Sequence, residues 1–370
     1  MSLLFSPFSL RSLRIPNRII VSPMCQYSGV EGCAQPWHTV HLGQFAISGA
    51  GLLIVEATAV EPAGRITTGC LGLYDDATEH ALSSLVRTLR QTSPIPLAIQ
   101  LGHAGRKASS GRPWEGGQLV PLAGGGWRPV APSALPQLEG EAPPDALDRD
   151  GMERLRQRFV DAVQRADRAG FDAIEVHAAH GYLLHEFLSP IANQRGDEYG
   201  GSLDNRMRYP LQVFASMRAA WPAHKPMGIR ISATEWIEGG WDIENSKLLA
   251  QALERLGCDW IDVSSGGISP RQKIAVGPGY QVPFAEAIKA SVRVPVMAVG
   301  LITEPQQAED ILAQGQADMI AMARGLTQDP RWPWRAAATL GATLQAPRQY
   351  WRSQPVSQKS LFGSTTFGMR

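Results

Sequence analysis

Residues 172–181 read DAIEVHAAHG, a short apolar run that ends in two small residues, a histidine and a glycine. Alternate side chains of an extended strand face opposite ways. Ile174 and Val176 then form one apolar face, and Glu175 and His177 point to the other. Seven more runs share this design: RIIVSP (18–23), GLLIVEATA (51–59), PLAIQLGHAG (96–105), PMGIRISATEW (226–236), DWIDVSSGG (259–267), VPVMAVGLI (294–302) and ADMIAMARGL (317–326).

Helix-like stretches fill the gaps, at about 38–48, 78–91, 150–169, 204–220, 244–256, 282–291, 304–314 and 332–340. Several stop at a glycine just past the last turn, as at Gly170 and Gly257. Strands alternating with helices imply a parallel sheet with crossovers, and eight such units close into a (β/α)8 TIM barrel. An open doubly wound sheet is the alternative. Residues 1–17, with Pro7 and Pro16, are expected to form an N-terminal hairpin that plugs one mouth. Residues 106–149, rich in Gly and Pro, make a long excursion after strand 3, on the side where lids over barrel sites lie. We therefore expect one barrel domain over 1–352 and a loosely ordered tail over 353–370.

The bulk composition sets limits. The 370 residues are 44% apolar and 19% charged, with 35 Lys and Arg against 34 Asp and Glu, a formal net charge of +1. No basic run is interleaved with aromatics, so nucleic acid is not expected as a partner. No stretch of 18 apolar residues exists, which predicts neither a membrane span nor a signal peptide and places the chain in the cytoplasm. Cys25, Cys33, Cys70 and Cys258 are scattered, as reduced thiols would be, and build neither a zinc ribbon nor an iron-sulfur cluster.

The same alternation applied to other strands leaves Gln100, Arg230 with Ser232, Glu56 with Thr58, and Asp262 with Ser264 pointing into the barrel. Glu56, Glu175 and Asp262 read best as a satisfied polar layer. Gln100, His177 and Arg230 sit last on their strands, where active sites of this fold assemble. His177 and His180 converge only if the chain leaves the strand between them, and AAHG supplies that turn. Zinc would need a third ligand of known placement, and no HExxH helix is present, so no metal is expected. His38 and His41, on the first helix, read as exposed or capping residues. The other possibility is an imidazole pair that binds one carbonyl or nitro oxygen, with Tyr182 beside it as proton donor. Such activation suits hydride transfer, which requires a cofactor. The loops after the seventh and eighth strands, AVGLITEP (298–305) and MARGLTQDP (322–330), offer Gly300, Gly325 and Arg324 to one phosphate monoester. There is no Walker loop and no GxGxxG turn, so a tightly held dinucleotide is not indicated.

Six segments carry a family resemblance: SPMCQYS (22–28), EATAV (56–60), IQLGHAGRKAS (99–109), HAAHGYLLHEFLSPIANQRGDEYGGSLDNRMR (177–208), VGLIT (299–303) and RQYWR (348–352). Over residues 1 to about 352 the chain resembles the old yellow enzymes, the flavin-dependent ene-reductases, in their YqjM-like or xenobiotic-reductase-like branch. The resemblance implies a noncovalent FMN with NAD(P)H as reductant. It implies that Ser22, Pro23, Met24 and Cys25 line the isoalloxazine, that Ala57 touches the ring, that Gln100 meets its pyrimidine edge, and that Arg230 is the cation beside N1 and O2. His177 and His180 resemble the pair that binds the substrate oxygen, Tyr182 the proton donor, and Tyr27 the second tyrosine of the substrate pocket.

The activity implied is reduction of the C=C bond of α,β-unsaturated carbonyl compounds by hydride from flavin N5, with nitro compounds and nitrate esters as further substrates. Arg352 resembles an arginine that reaches a neighbouring subunit's site, which implies a homodimer or homotetramer. Two departures stand out: Val299 where relatives carry tryptophan, and a tail running past Arg352. Two other classes remain: a flavin-free barrel lyase or isomerase acting on a phosphorylated substrate, and a noncatalytic flavin-binding protein.

Overall fold

The computed structural model describes residues 2–363 and 365. The eight apolar runs all become strands: β3 (Ile19–Val21), β4 (Leu52–Ala59), β5 (Leu97–Gly102), β8 (Ala173–Ala178), β9 (Met227–Ser232), β10 (Ile261–Ser264), β11 (Val296–Ala298) and β12 (Met319–Met322). They pair in parallel in that order and close where Ile320 meets Ile19, forming a barrel rather than an open sheet. Before it, β1 (Phe8–Leu10) and β2 (Leu13–Ile15) form an antiparallel hairpin.

Crossover helices α1 (Pro36–Ala46), α2 (Asp76–Thr92), α3 (Arg149–Arg168), α5 (Leu203–Ala220), α6 (Ile243–Arg255), α7 (Val282–Lys289), α8 (Pro305–Ala313) and α10 (Trp332–Thr339) follow the expected order. Four start at a side chain that accepts a first-turn amide: Asp75 from Thr78, Asp148 from Gly151, Ser202 from Asn205 and Asp242 from Asn245. Two short helices escaped the sequence pattern, α4 (Leu183–Leu188) and α9 (Arg324–Gln328). A five- or six-residue helix shows too little of its period to be read from a sequence.

The strand alternation divides the apolar residues into two cores. Val55, Ile174, Val176, Ile229 and Ile231 face outward and join Phe159, Val163 and Phe214 of the helices. Ile20, Leu52, Ile54, Ala98, Ala173, Trp260, Met297 and Met319 fill the barrel interior. Leu10 and Ile15 of the hairpin belong to the same inner cluster, so the hairpin plugs this end as expected. Gly228 makes room for the indole, since a Cβ there would lie 2.1 Å from the Trp260 ring.

The apolar filling gives way toward the strand C-termini to the polar layer of Gln100, Glu175, Arg230 and Asp262. Glu56 departs from the expected pattern. The pairing of β4 with β5 shifts register between Val55 and Thr58. A register irregularity reverses the faces beyond it, and Glu56 accepts from the Gln26 amide at 3.0 Å and meets His38 of α1 at 3.5 Å.

The excursion after β5 holds two two-residue strands, β6 (Val130–Ala131) and β7 (Asp145–Ala146), paired in parallel. At the C-terminus a 3-10 helix, Arg348–Ser353, follows α10. Of the segment after it, Leu361 and Phe362 are buried with Ala337 and Leu344, and the Leu344 amide donates to the Leu361 carbonyl at 3.0 Å.

Candidate active site

Strand β8 delivers His177 into the interior, where it is 4% exposed. The strand ends at Ala178, and the chain then turns back through His180 at φ 60° and Gly181 at φ 74°. A histidine in this left-handed region is strained and needs support. Support comes from the β10–α7 loop: a Cβ on Gly181 would lie 2.3 Å from the Gly267 carbonyl oxygen, and one on Gly267 would lie 2.4 Å from the His180 Cα. Lys107 ties the two backbones together, its Nζ donating to the His180 carbonyl at 2.8 Å and to that of Gly267.

The turn brings the rings together. His177 and His180 stand edge to face with centroids 5.2 Å apart, and the Tyr182 ring stands 4.8 Å from His177. Burial, followed by the charge of Arg230, holds both imidazoles well below the ordinary histidine range, so each is neutral with one donor and one acceptor nitrogen. Burial keeps the Tyr182 phenol protonated. A cavity opens beside them, lined by Ala57, Thr58 and Ala59 of β4, the turn at Arg65 and Ile66, Cys70, and His177 and Tyr182.

The polar layer lies deeper. Gln100 Nε2 donates to Glu175 Oε1 at 2.8 Å and Trp260 Nε1 to Glu175 Oε2 at 3.2 Å. Arg230 Nε lies 3.3 Å from Asp262 Oδ2. That is close enough for an ion pair, yet neither group is aligned for a hydrogen bond among the described residues. Ser22 Oγ, just past the end of β3, is likewise buried with no hydrogen-bond partner among the described residues. Orphaned buried donors of this kind fit a polar ligand edge presented to the barrel mouth.

Around this centre, Cys25 faces the Ala57 backbone amide, and burial raises its thiol well above the usual range. Met24 accepts from Thr327 Oγ1 at 3.2 Å, and Tyr27 stands edge to face with Trp114 of the excursion at 5.7 Å. Gly300 adopts φ 121°, where a Cβ would come 2.7 Å from Gln281 Nε2. Arg324 is exposed as the first residue of α9, with Gly325 behind it, and the two loops follow the neighbouring parallel strands β11 and β12. Arg352 is exposed on the 3-10 helix after α10, where Tyr350 packs on Trp334. No group of three or more His, Cys, Asp or Glu among the described residues is arranged to hold a metal ion.

Sequence reasoning did not single out Lys107 or Gln281. Both come from loops distant in sequence from the residues they touch, and no spacing rule links them.

Lys107 and Glu186 lead to a prediction. Burial pushes the Glu186 carboxyl from 4.5 up to about 8, against Arg106, and pulls Lys107 from 10.5 down to about 8, against Glu186. From pH 4.5 to 8 the folded protein keeps a carboxyl proton that the unfolded chain has released, so the Glu186 contribution to stability falls as pH rises. From pH 8 to 10.5 the unfolded chain keeps a lysine proton that the folded protein has lost, so the Lys107 contribution to stability rises with pH. In urea unfolding, wild type should lose about 1 kcal/mol or more relative to Glu186→Gln between pH 4.5 and 8, and should regain a similar amount relative to Lys107→Met between pH 8 and 10.5. A gap between wild type and each variant that does not change with pH would refute the assignment.

A profile of the NADH:flavin oxidoreductase / NADH oxidase family matches residues 3–342. The NADPH dehydrogenase of Geobacillus thermodenitrificans is 42% identical over 95% of this chain and 98% of its own length. The NADH:flavin oxidoreductase FG08077 of Gibberella zeae is 42% identical over 93% of this chain and 87% of its own. Among solved structures, morphinone reductase in complex with tetrahydroNAD superposes with a TM-score of 0.74 at 30% identity, covering 98% of this chain and 94% of that one. No helix among the described residues is long and apolar enough to cross a membrane. With a match over nearly the whole barrel and relatives above 40% identity, this chain belongs to the NADH:flavin oxidoreductase / NADH oxidase family.

Proposed function

We propose that this barrel, an FMN-dependent NAD(P)H oxidoreductase, reduces the C=C bond of α,β-unsaturated ketones, aldehydes or imides, with His177 and His180 holding the substrate oxygen. The observation that carries this reading is the turn at His180. It spends backbone strain to set two neutral imidazoles edge to face beside a cavity and a protonated phenol. FMN, when bound, supplies hydride from N5 and is reduced in turn by NAD(P)H.

The chain's own residues do the rest. Ser22, Pro23, Met24, Cys25 and Ala57 line the ring site, where the unpartnered Ser22 hydroxyl supports the assignment. Gln100 and Arg230 face its polar edge. The buried guanidinium of Arg230 stabilises negative charge that builds there on reduction. Gly300, Gly325 and Arg324 hold the phosphate. The imidazoles draw electron density toward the substrate oxygen, which leaves the β carbon electron-poor. Tyr182 donates a proton to the α carbon, and Tyr27 closes the substrate pocket. NAD(P)H and enone take the same place in turn, so the kinetics are ping-pong. Nitro compounds and nitrate esters present an oxygen that the same clamp accepts. We place the enzyme in the cytoplasm, as a homodimer or homotetramer in which Arg352 reaches a neighbouring site.

Anaerobic titration of the purified protein with NAD(P)H should bleach a yellow spectrum, and cyclohexenone should restore it. A colourless protein that releases no flavin on denaturation favours the lyase or isomerase, and a yellow one that NAD(P)H does not bleach favours a binding protein. Repeating the titration on Arg352→Ala, with the mass in solution, tests the shared site. An unchanged enone affinity or a monomer removes that part.

A further inference from the structure

His177 and His180 are held by different partners. The Ala179 amide donates to His177 Nδ1 at 3.3 Å, which leaves the proton of that neutral ring on Nε2. His180 is bound through its other nitrogen, with Nε2 lying 2.7 Å from Ser264 Oγ. Which atom donates depends on where the Ser264 hydroxyl proton goes. Its competing acceptor is Gln281 Oε1 at 3.4 Å, beyond the usual range for an O–H···O bond.

Gln281 is itself fixed. Its Oε1 accepts from Ser265 Oγ at 2.6 Å, and its Nε2 donates to the Val299 carbonyl at 2.9 Å. Ser264, Ser265 and Gln281 are all buried, so water does not compete for these positions. The Ser264 proton therefore goes to His180 Nε2. No other partner for His180 Nδ1 is found among the described residues.

We propose that Ser264, seated in the Ser265–Gln281–Val299 relay, is a positioning residue that fixes His180 in its Nδ1–H tautomer and so turns that ring into a donor toward the substrate. The inference rests on the reading of His177 and His180 as the pair that binds the substrate oxygen. The two rings then donate through different atoms, Nε2–H from His177 and Nδ1–H from His180. A neutral imidazole left to itself favours Nε2–H, and in that form His180 would offer a bare nitrogen to an electron-rich oxygen.

The test is 15N NMR of the FMN-loaded protein with its eight histidines 15N-labelled, the His180 signals being identified by their loss in His180→Gln. Wild type should show a pyrrole-type Nδ1 and a pyridine-type Nε2 at His180. Ser264→Ala should move the ring toward Nε2–H and raise the KM for cyclohexenone about five- to ten-fold, with a smaller change in kcat. Ser264→Thr, which keeps the hydroxyl, should restore the wild-type pattern. An Nε2–H tautomer in wild type, or a pattern unmoved by Ser264→Ala, overturns the proposal. Failure of the enone reading shows separately, as a wild-type protein that does not turn over cyclohexenone while its tautomer pattern stands.

Discussion

Arg230→Met should destabilise the fold by roughly 3–5 kcal/mol at pH 8 and release the flavin on gel filtration. The guanidinium is the cation of the barrel interior that faces Asp262 at 3.3 Å, and it also lowers the titration of Glu175. Asp262 accepts no hydrogen bond among the described residues, so Arg230 is the group that compensates its charge. A thioether fills the space but leaves two buried carboxyls facing each other. They can escape the penalty only by taking up protons, and burial has already pushed both upward, Glu175 to about 8. The loss should therefore be smaller at pH 5 than at pH 8. Urea midpoints at the two pH values, with flavin content measured after each column, check this. Arg230→Lys should recover stability through its charge while retaining flavin poorly, since an ammonium lacks the planar fork. Equal stability of Arg230→Met and wild type at pH 8 would remove Arg230 from the interior charge balance.

How far the sequence revealed this site depends on the kind of residue. The strands were legible because apolar runs of fixed parity face helices, and that parity placed Gln100, Glu175, His177, Arg230 and Asp262 inside. It failed at Glu56, where the irregularity between Val55 and Thr58 shifts the register by an amount that no residue type announces. The convergence of His177 and His180 was legible because AAHG has to turn. What holds the turn was not. Lys107 comes from the loop after β5 and Gly267 from the loop after β10, and only the closed barrel brings these together. Ser264 was assigned inward by parity, but its partner Gln281 lies 17 residues on, beyond any periodic signal.

Tyr182→Phe should leave reduction by NAD(P)H intact and slow reoxidation by cyclohexenone about 10²- to 10⁴-fold, the range over which a positioned general acid contributes. On the proposed reading the two half-reactions separate, because reoxidation would draw on the phenol's proton and reduction by NAD(P)H would not. Removing the hydroxyl keeps the aromatic face that packs on His177 at 4.8 Å, so oxygen binding should survive. Burial raises the phenol well above its ordinary range, which makes it a weak acid that stays protonated at every working pH. A weak acid suits this step, since hydride addition leaves carbanion character at the α carbon and the proton moves downhill to it. Lys107 Nζ lies 5.7 Å from the centre of the Tyr182 ring, and its positive charge favours the phenolate left behind. Stopped-flow measurement of each half-reaction in H2O and D2O checks the assignment. Wild type should show a solvent isotope effect on reoxidation alone, and Tyr182→Phe should either stall there or proceed at a rate set by water. Reoxidation of Tyr182→Phe at the wild-type rate would strip Tyr182 of the acid role and assign the proton to solvent.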